Sequence, residues 1–243
     1  MDGVYEREIC LKMVVNKNFI FVHVPKTGGT SIRSLIEDYA MGRTEEFSEE
    51  HDVIFSAYQQ MPDENFNSKF KFAFVRNPFD RELSNYFWHT KMNGHIDISF
   101  PDWVKWRYDE MSDFLSVIQF SEKSDYYYQK GFAKTPQIGF LINEKGKIIV
   151  DFVGRFETLQ EDWDIVADRL GLPKSLPHEF KTYRDQDYRK YYTEETRSII
   201  ENAHSIDLEI FNYDFDKGLV DKKINGNIDV KVHLFKGYNY YYG

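Results

Sequence analysis

Residues 19–31, Phe19-Ile-Phe-Val-His-Val-Pro-Lys-Thr-Gly-Gly-Thr-Ser31, constrain the fold of this chain more than any other stretch. A largely apolar, β-branched run ends at Val24, and a loop with paired glycines follows. Ile32, Leu35, Ile36 and Tyr39 then recur at helical spacing. This order predicts a buried strand, a tight turn and a helix N-terminus. Gly28 and Gly29 let the backbone approach a ligand closely, and the exposed N–H groups of a helix start attract an anion. Lys26 adds a cation, and Thr27, Thr30 and Ser31 add hydroxyls. The expected product is a cradle for a phosphate.

The Walker A loop of ATPases does not match. That motif carries its lysine and hydroxyl residue after the second glycine, with the hydroxyl on magnesium. Here Lys26 precedes both glycines, and no acidic strand to hold magnesium is evident. A lysine ahead of the loop sits where a leaving group emerges, which points to transfer of something other than a phosphoryl group. Phe70-Lys-Phe-Ala-Phe-Val75 reads as a second strand, followed at once by Arg76-Asn-Pro-Phe-Asp-Arg81. Asn77 suits a helix cap and Pro78 the first helical position, while Leu83, Tyr86 and Phe87 extend an apolar face. Arg76 therefore leaves the C-terminal end of a strand, where open α/β sheets bind ligands. Ser84 falls two turns into that helix, on the side toward Arg76. Together they suit a second phosphate, with the guanidinium binding it in a bidentate way.

At these residues the chain resembles a known family. Pro25-Lys-Thr-Gly-Gly-Thr-Ser31 is similar to the 5′-phosphosulfate loop of sulfotransferases, and Phe74-Val-Arg-Asn-Pro-Phe-Asp-Arg-Glu-Leu-Ser84 to their 3′-phosphate motif. The nearest likeness is to the carbohydrate branch, with its chondroitin, HNK-1 and heparan 2-O enzymes and their bacterial relatives. Phe152-Val-Gly-Arg-Phe-Glu-Thr-Leu159 and the stretch from Tyr188 to Arg197, running on to Phe215, also look familiar, so the resemblance covers most of residues 18–215. It implies a P-loop-like parallel α/β sheet flanked by helices. It also implies a metal-free reaction in which an acceptor hydroxyl attacks the sulfur of 3′-phosphoadenosine 5′-phosphosulfate and expels 3′-phosphoadenosine 5′-phosphate. Lys26 resembles the family lysine that stabilises the departing oxygen, and His51 stands in the stretch where the 2-O enzymes place their base. Glu49, Glu50 and Asp52 surround His51, whose plainer reading is a solvated histidine in an acidic loop. His23 alternates within the first strand and is expected to be a packed core residue.

Several further assignments stay open. Arg155 either lines the nucleotide site or pairs with Glu157. Lys181, Tyr183 and Arg184 precede the stretch where the family closes a loop over its donor, and they read equally as an ordinary polar loop. Trp103 and Trp106 recur on a predicted helix, where aromatic residues usually build core although they also stack on sugars. Trp103 is assigned to core and Trp106 is left open.

The formal net charge of −9 and the lack of a basic stripe argue against a nucleic-acid partner. A local cluster of Lys26, Arg33, Arg76 and Arg81 still suits an anionic donor. The same balance favours a neutral or lightly charged glycan acceptor. No run approaches the roughly 18 apolar residues of a membrane span, and the N-terminus does not read as a signal peptide. With Cys10 as the single cysteine, a reducing cytoplasm is the simpler expectation. A Golgi lumenal protein trimmed of its anchor is the alternative.

The chain is expected to form one domain over 1–215, with an acceptor-side insertion at 93–135 and a tail at 216–243. Strand and helix are predicted over 18–41 and again over 69–92, with a short helix between them around Val53, Ile54 and Tyr58. A helix from Pro101 to about Phe120 lies in the insertion. Residues 138–142 and 147–153 are predicted to form a hairpin about Asn143-Glu-Lys-Gly146. Helices are placed from about 158 to 170, stopped by Gly171, and from Thr193 onward. Ile228, Val230 and Val232 alternate in the tail as a further hairpin would. Two rival functions share these features: a kinase-like P-loop enzyme, which needs magnesium, and a non-catalytic nucleotide- or glycan-binding domain, which tolerates loss of Lys26 and His51.

Overall fold

The computed structural model describes residues 13–39, 44–45, 54–92, 97–108, 136–143, 145–177 and 184–224. Five strands form one sheet in the order β3-β1-β2-β4-β5. They are β1 (Val14–Asn16), β2 (Phe19–Val22), β3 (Thr44–Glu45), β4 (Phe70–Val75) and β5 (Phe152–Arg155). β2, β4 and β5 run parallel, in a register that sets Val22 beside Ala73 and Val75 beside Arg155. β1 and β3 extend the β2 edge antiparallel. β1 and β3 are additions to the predicted pattern.

The strands read as continuous apolar runs because helices cover both faces. Residue size divides those faces. Phe19, Phe21, Phe70, Phe72 and Phe74 point to one side, with Ile32, Leu35 and Ile36 of α1 (Gly29–Tyr39) and Trp163, Val166 and Ala167 of α6 (Leu159–Leu170). Ile20, Val22, Ala73 and Val75 point to the other. There they meet Ile54 and Ala57 of α2 (Ile54–Gln60), Phe66 of α3 (Asp63–Ser68), Phe140, and Ile210 and Phe211 of α8 (Ser205–Phe211). Each phenylalanine buried in this way stabilises the fold by about 1.5–3 kcal/mol.

A third cluster lies beyond the sheet. It joins Phe79 and Leu83 of α4 (Pro78–Phe87), Phe100, Trp103 and Val104 of α5 (Phe100–Tyr108) and Ile200 of α7 (Glu194–Ala203). Trp103 is therefore core, while Trp106 is half-buried against the same cluster. α4 begins as its sequence dictates, with Asn77 accepting from Phe79 N at 3.0 Å and Pro78 in the first turn. Gly171 ends α6 in the left-handed region, and Thr193 and Thr196 form a capping box on α7.

The predicted hairpin at 138–153 needs correction. Its turn forms, with Gly146 N donating to Asn143 O, and among the described residues the arms pair over a short stretch, by Asn143 N to Lys147 O and Ile149 N to Leu141 O about an Ile142–Ile148 bridge. Gln137–Phe140 coil into a single 3-10 turn, because Ile138 and Phe140 pack under the sheet. Residues 152–155 leave the arm and pair with β4 instead. An antiparallel pair does form near the C-terminus, between β6 (Tyr213–Asp214) and β7 (Gly218–Leu219). The hairpin expected around Ile228, the rest of the insertion helix, and Cys10, His51, Lys181 and Tyr183 lie outside the described residues. Among the described residues no helix is long and apolar enough to cross a membrane.

Candidate functional site

Because β2 and β4 are parallel neighbours, the loop after β2 and Arg76 after β4 emerge at the same sheet edge. The contact between them is direct: Arg76 Nη1 donates to Lys26 O at 3.1 Å. Five residues on, Arg81 reaches under the loop and its Nε donates to Pro25 O at 3.0 Å. Two guanidiniums thus hold back the carbonyls at the loop entrance. The first N–H groups of α1, at the loop's other end, have no intrahelical acceptor.

Steric facts explain the loop sequence. Gly28 has φ +83°, and a Cβ there would lie 2.8 Å from Leu159 Cδ2. Gly29 sits against the His23 ring, so that a Cβ would fall 2.0 Å from His23 Cδ2. His23 itself is buried and stacks on Phe21. Burial, then Arg33 and Lys26, pull its pKa down to about 3, so it is a neutral floor to the loop. Gly29→Ala is accordingly expected to destabilise the protein by about 1–3 kcal/mol, as overpacking does. Thermal unfolding checks this, and an unchanged midpoint would show that the ring moves aside without cost.

Lys26 is the residue under most constraint. Its backbone lies at φ +68°, a conformation that costs a side-chain-bearing residue energy. Its Nζ lies 4.4 Å from the centroid of the Trp88 ring. Burial, followed by the charges of Arg76 and Arg81, lowers its pKa to about 7. Thr27 spends its hydroxyl proton internally, donating to Val24 O at 2.8 Å, which leaves its N–H for a ligand. Thr30 is half-buried and Ser31 buried at the start of α1. Arg33 pairs with Glu37 one turn on, and Arg81 is buried, so the anticipated cation cluster narrows to Lys26 and Arg76 with Arg81 beneath.

Arg76 is held on every side. Its Nε and Nη2 donate to Asp80 Oδ2 at 2.8 and 2.6 Å, and its guanidinium carbon lies 3.8 Å from the Phe156 ring centroid. Asp80 and Lys26 O take three of the five guanidinium N–H groups, Asp80 along the Nε–Nη2 edge, which leaves one N–H on each terminal nitrogen. Asp80 also receives Arg184 Nη2. Burial alone would raise the Asp80 pKa, but Arg76 and Arg184 together hold it below the ordinary value. Arg184 is thereby brought to Arg76, in a segment pinned to α4 by bonds from Asn77 Nδ2 to Tyr188 OH and from Tyr192 OH to Phe79 O. Ser84 is buried on α4.

Arg155 has other partners. Its guanidinium is buried beside Phe211 and Tyr213, and Nη2 donates to Phe211 O and Lys222 O. Glu157 accepts instead from Asn77 N and Tyr213 OH.

Four residues of this site escaped the reading of the sequence. Trp88 and His89 stand on a π-turn, Trp88–Met92, that continues α4, and π-turns recur at functional sites. Burial, then Arg107 and Lys26, lower the His89 pKa to about 3. Asp80 is detectable only by its spacing of four from Arg76. Phe156 carries no local signal. No group of three or more His, Cys, Asp or Glu among the described residues could hold a metal ion.

Comparison with known proteins agrees with this geometry. The pattern of the family described as "Sulfotransferase family" matches residues 11–214. A protein of Archaeoglobus fulgidus, described as uncharacterized, is 30% identical over 127 residues, which is 51% of this chain and 87% of that relative. No solved structure matches.

Proposed function

Since the chain belongs to the sulfotransferase family, we propose that it moves a sulfuryl group from 3′-phosphoadenosine 5′-phosphosulfate to a hydroxyl of a carbohydrate or glycoconjugate, as its carbohydrate branch does. The observation that carries this reading is the bond from Arg76 Nη1 to Lys26 O, which unites the two anion-binding elements in one site. The 5′-phosphosulfate lies against Lys26 and the N–H groups of Thr27, Gly28, Gly29, Thr30 and Ser31. The 3′-phosphate takes the two outward N–H groups of Arg76 with the Ser84 hydroxyl, and Arg184 closes over it. Arg155 supports the site from below through Phe211 and the 222 carbonyl.

In the reaction the acceptor oxygen bonds to sulfur as the bond from sulfur to the 5′-phosphate oxygen breaks. The acceptor proton passes to a base, and negative charge collects on the leaving oxygen beside Lys26. His51 is our candidate for the base. Its pH profile tests this: the wild-type rate should rise through a histidine titration, and His51→Ala should lose that rise while retaining nucleotide binding. A folded His51→Ala protein with near-normal transfer would move the role to a carboxylate such as Glu50.

A labelled-sulfate transfer assay over a panel of glycans, with mass analysis of the product, tests the whole reading. Sulfated product formed in the presence of a chelator supports it. Magnesium-dependent phosphoryl transfer from a nucleoside triphosphate would favour the kinase-like reading, and tight nucleotide binding with no transfer to any acceptor would favour a binding domain.

A further inference from the structure

Arg76 is the first residue beyond β4, and its own peptide groups are buried at the point where the sheet ends. β5 pairs with β4 only as far as Arg155 opposite Val75. The next rung is supplied by a side chain. Gln137 Oε1 accepts from Arg76 N at 2.9 Å, and Gln137 Nε2 donates to Arg76 O at 2.8 Å. One side-chain amide thus satisfies both backbone groups of a single residue, as a neighbouring strand would. Fixing those two groups fixes the backbone from which Arg76 projects its side chain.

Gln137 is fully buried and is itself secured. Its N donates to Asp207 Oδ2 at 2.6 Å, and Ile138 N donates to Asp207 Oδ1 at 3.0 Å. The Asp207 carboxylate, fully buried on α8, thereby caps the 3-10 turn that carries Gln137. Burial lowers the pKa of Arg81, whose Nε holds Pro25 O, and the Asp207 carboxylate opposes that shift. A single carboxylate from near the C-terminal end of the domain therefore stands behind both anion-binding elements.

We propose that Gln137, anchored by Asp207, is a positioning residue for the 3′-phosphate and acts through Arg76. The inference rests on the reading of Arg76 given above. A side chain that only stabilised the fold would affect all ligands alike, whereas one that aims Arg76 matters chiefly for the phosphate that Arg76 holds.

The test is calorimetric binding of 3′-phosphoadenosine 5′-phosphate and of adenosine 5′-phosphate to the wild type, Gln137→Met, Arg76→Ala and the double variant. Gln137→Met should lower affinity for the bisphosphate about tenfold and change that for the monophosphate by less than about twofold. In the Arg76→Ala background the same substitution should cost nothing further, because its effect runs through the missing guanidinium. Equal losses for both nucleotides, or additive losses in the double variant, would overturn the proposal. If Gln137→Met fails to fold, Gln137→Glu keeps an acceptor for Arg76 N but sets a second acceptor against Arg76 O, and it should show the same selective loss. A wild type that does not prefer the bisphosphate would refute the donor assignment itself. A Gln137 variant that keeps the wild-type preference would refute only the positioning role.

Discussion

Replacement of Lys26 by alanine should lower turnover by about 100-fold or more, with a much smaller effect on donor affinity. The asymmetry follows from when the charge is needed. In the bound donor the bridging oxygen shares its charge with phosphate and sulfuryl groups, and several N–H donors already serve the phosphate. As the sulfur bond breaks, that oxygen gains charge that only a nearby cation meets. Lys26 is placed for this role by its unusual backbone, and the Trp88 ring confines its ammonium group. Equal losses in binding and in rate would reduce it to an anchor.

The lowered pKa of Lys26 adds a pH signature. At about 7 in the protein alone, the side chain is largely neutral at pH 8. The donor's negative charge favours the ammonium form, so binding at pH 8 takes up a proton. Nucleotide affinity should be greatest below pH 7 and fall above it by up to about tenfold per pH unit, until the raised pKa of the complex is reached. Calorimetry in buffers of different ionisation enthalpy measures the uptake, and Lys26→Ala should abolish it.

Arg76→Ala should weaken binding of 3′-phosphoadenosine 5′-phosphate by about 2–4 kcal/mol, the usual consequence of removing one partner of a desolvated charge pair. The loss exceeds that of a simple contact because Arg76 has three tasks. In the proposed site it offers two N–H groups to the ligand, and in the structure it ties the loop through Lys26 O and shares Asp80 with Arg184. Without it Asp80 turns a less compensated negative charge toward the incoming phosphate. Ser84→Ala should cost only about 1 kcal/mol, one hydrogen bond. Unchanged affinity in the Arg76 variant would remove the 3′-phosphate from this position.

Local pattern determined much of this protein. The strand–loop–helix at 19–39 and the strand–helix at 70–87 follow from β-branched runs, paired glycines, Asn77 and Pro78, all acting within a few residues of one another. The ends of α6 and α7 were equally legible, because Gly171 and Thr193 act on the adjacent turn. Failure came where long-range packing outweighed local preference. Residues 138–140 have the composition of a strand, yet they coil because the sheet offers them an apolar face to cover and β4 takes 152–155 as its partner. β1 and β3 were missed because a strand of two or three residues has too few alternations to register.

The site divides the same way. Lys26 and Arg76 stand in motifs that are legible in the sequence alone. What tertiary structure alone decided is how they are aimed: Trp88 over the ammonium group, Phe156 beneath the guanidinium, Asp80 between Arg76 and Arg184, and Gln137 pairing with the backbone of a residue 61 positions away. Trp88, Phe156 and Gln137 lie outside the two motifs, and Asp80, although one turn from Arg76, meets its second partner Arg184 only through chain packing, which brings a buried polar group to the partner that satisfies it.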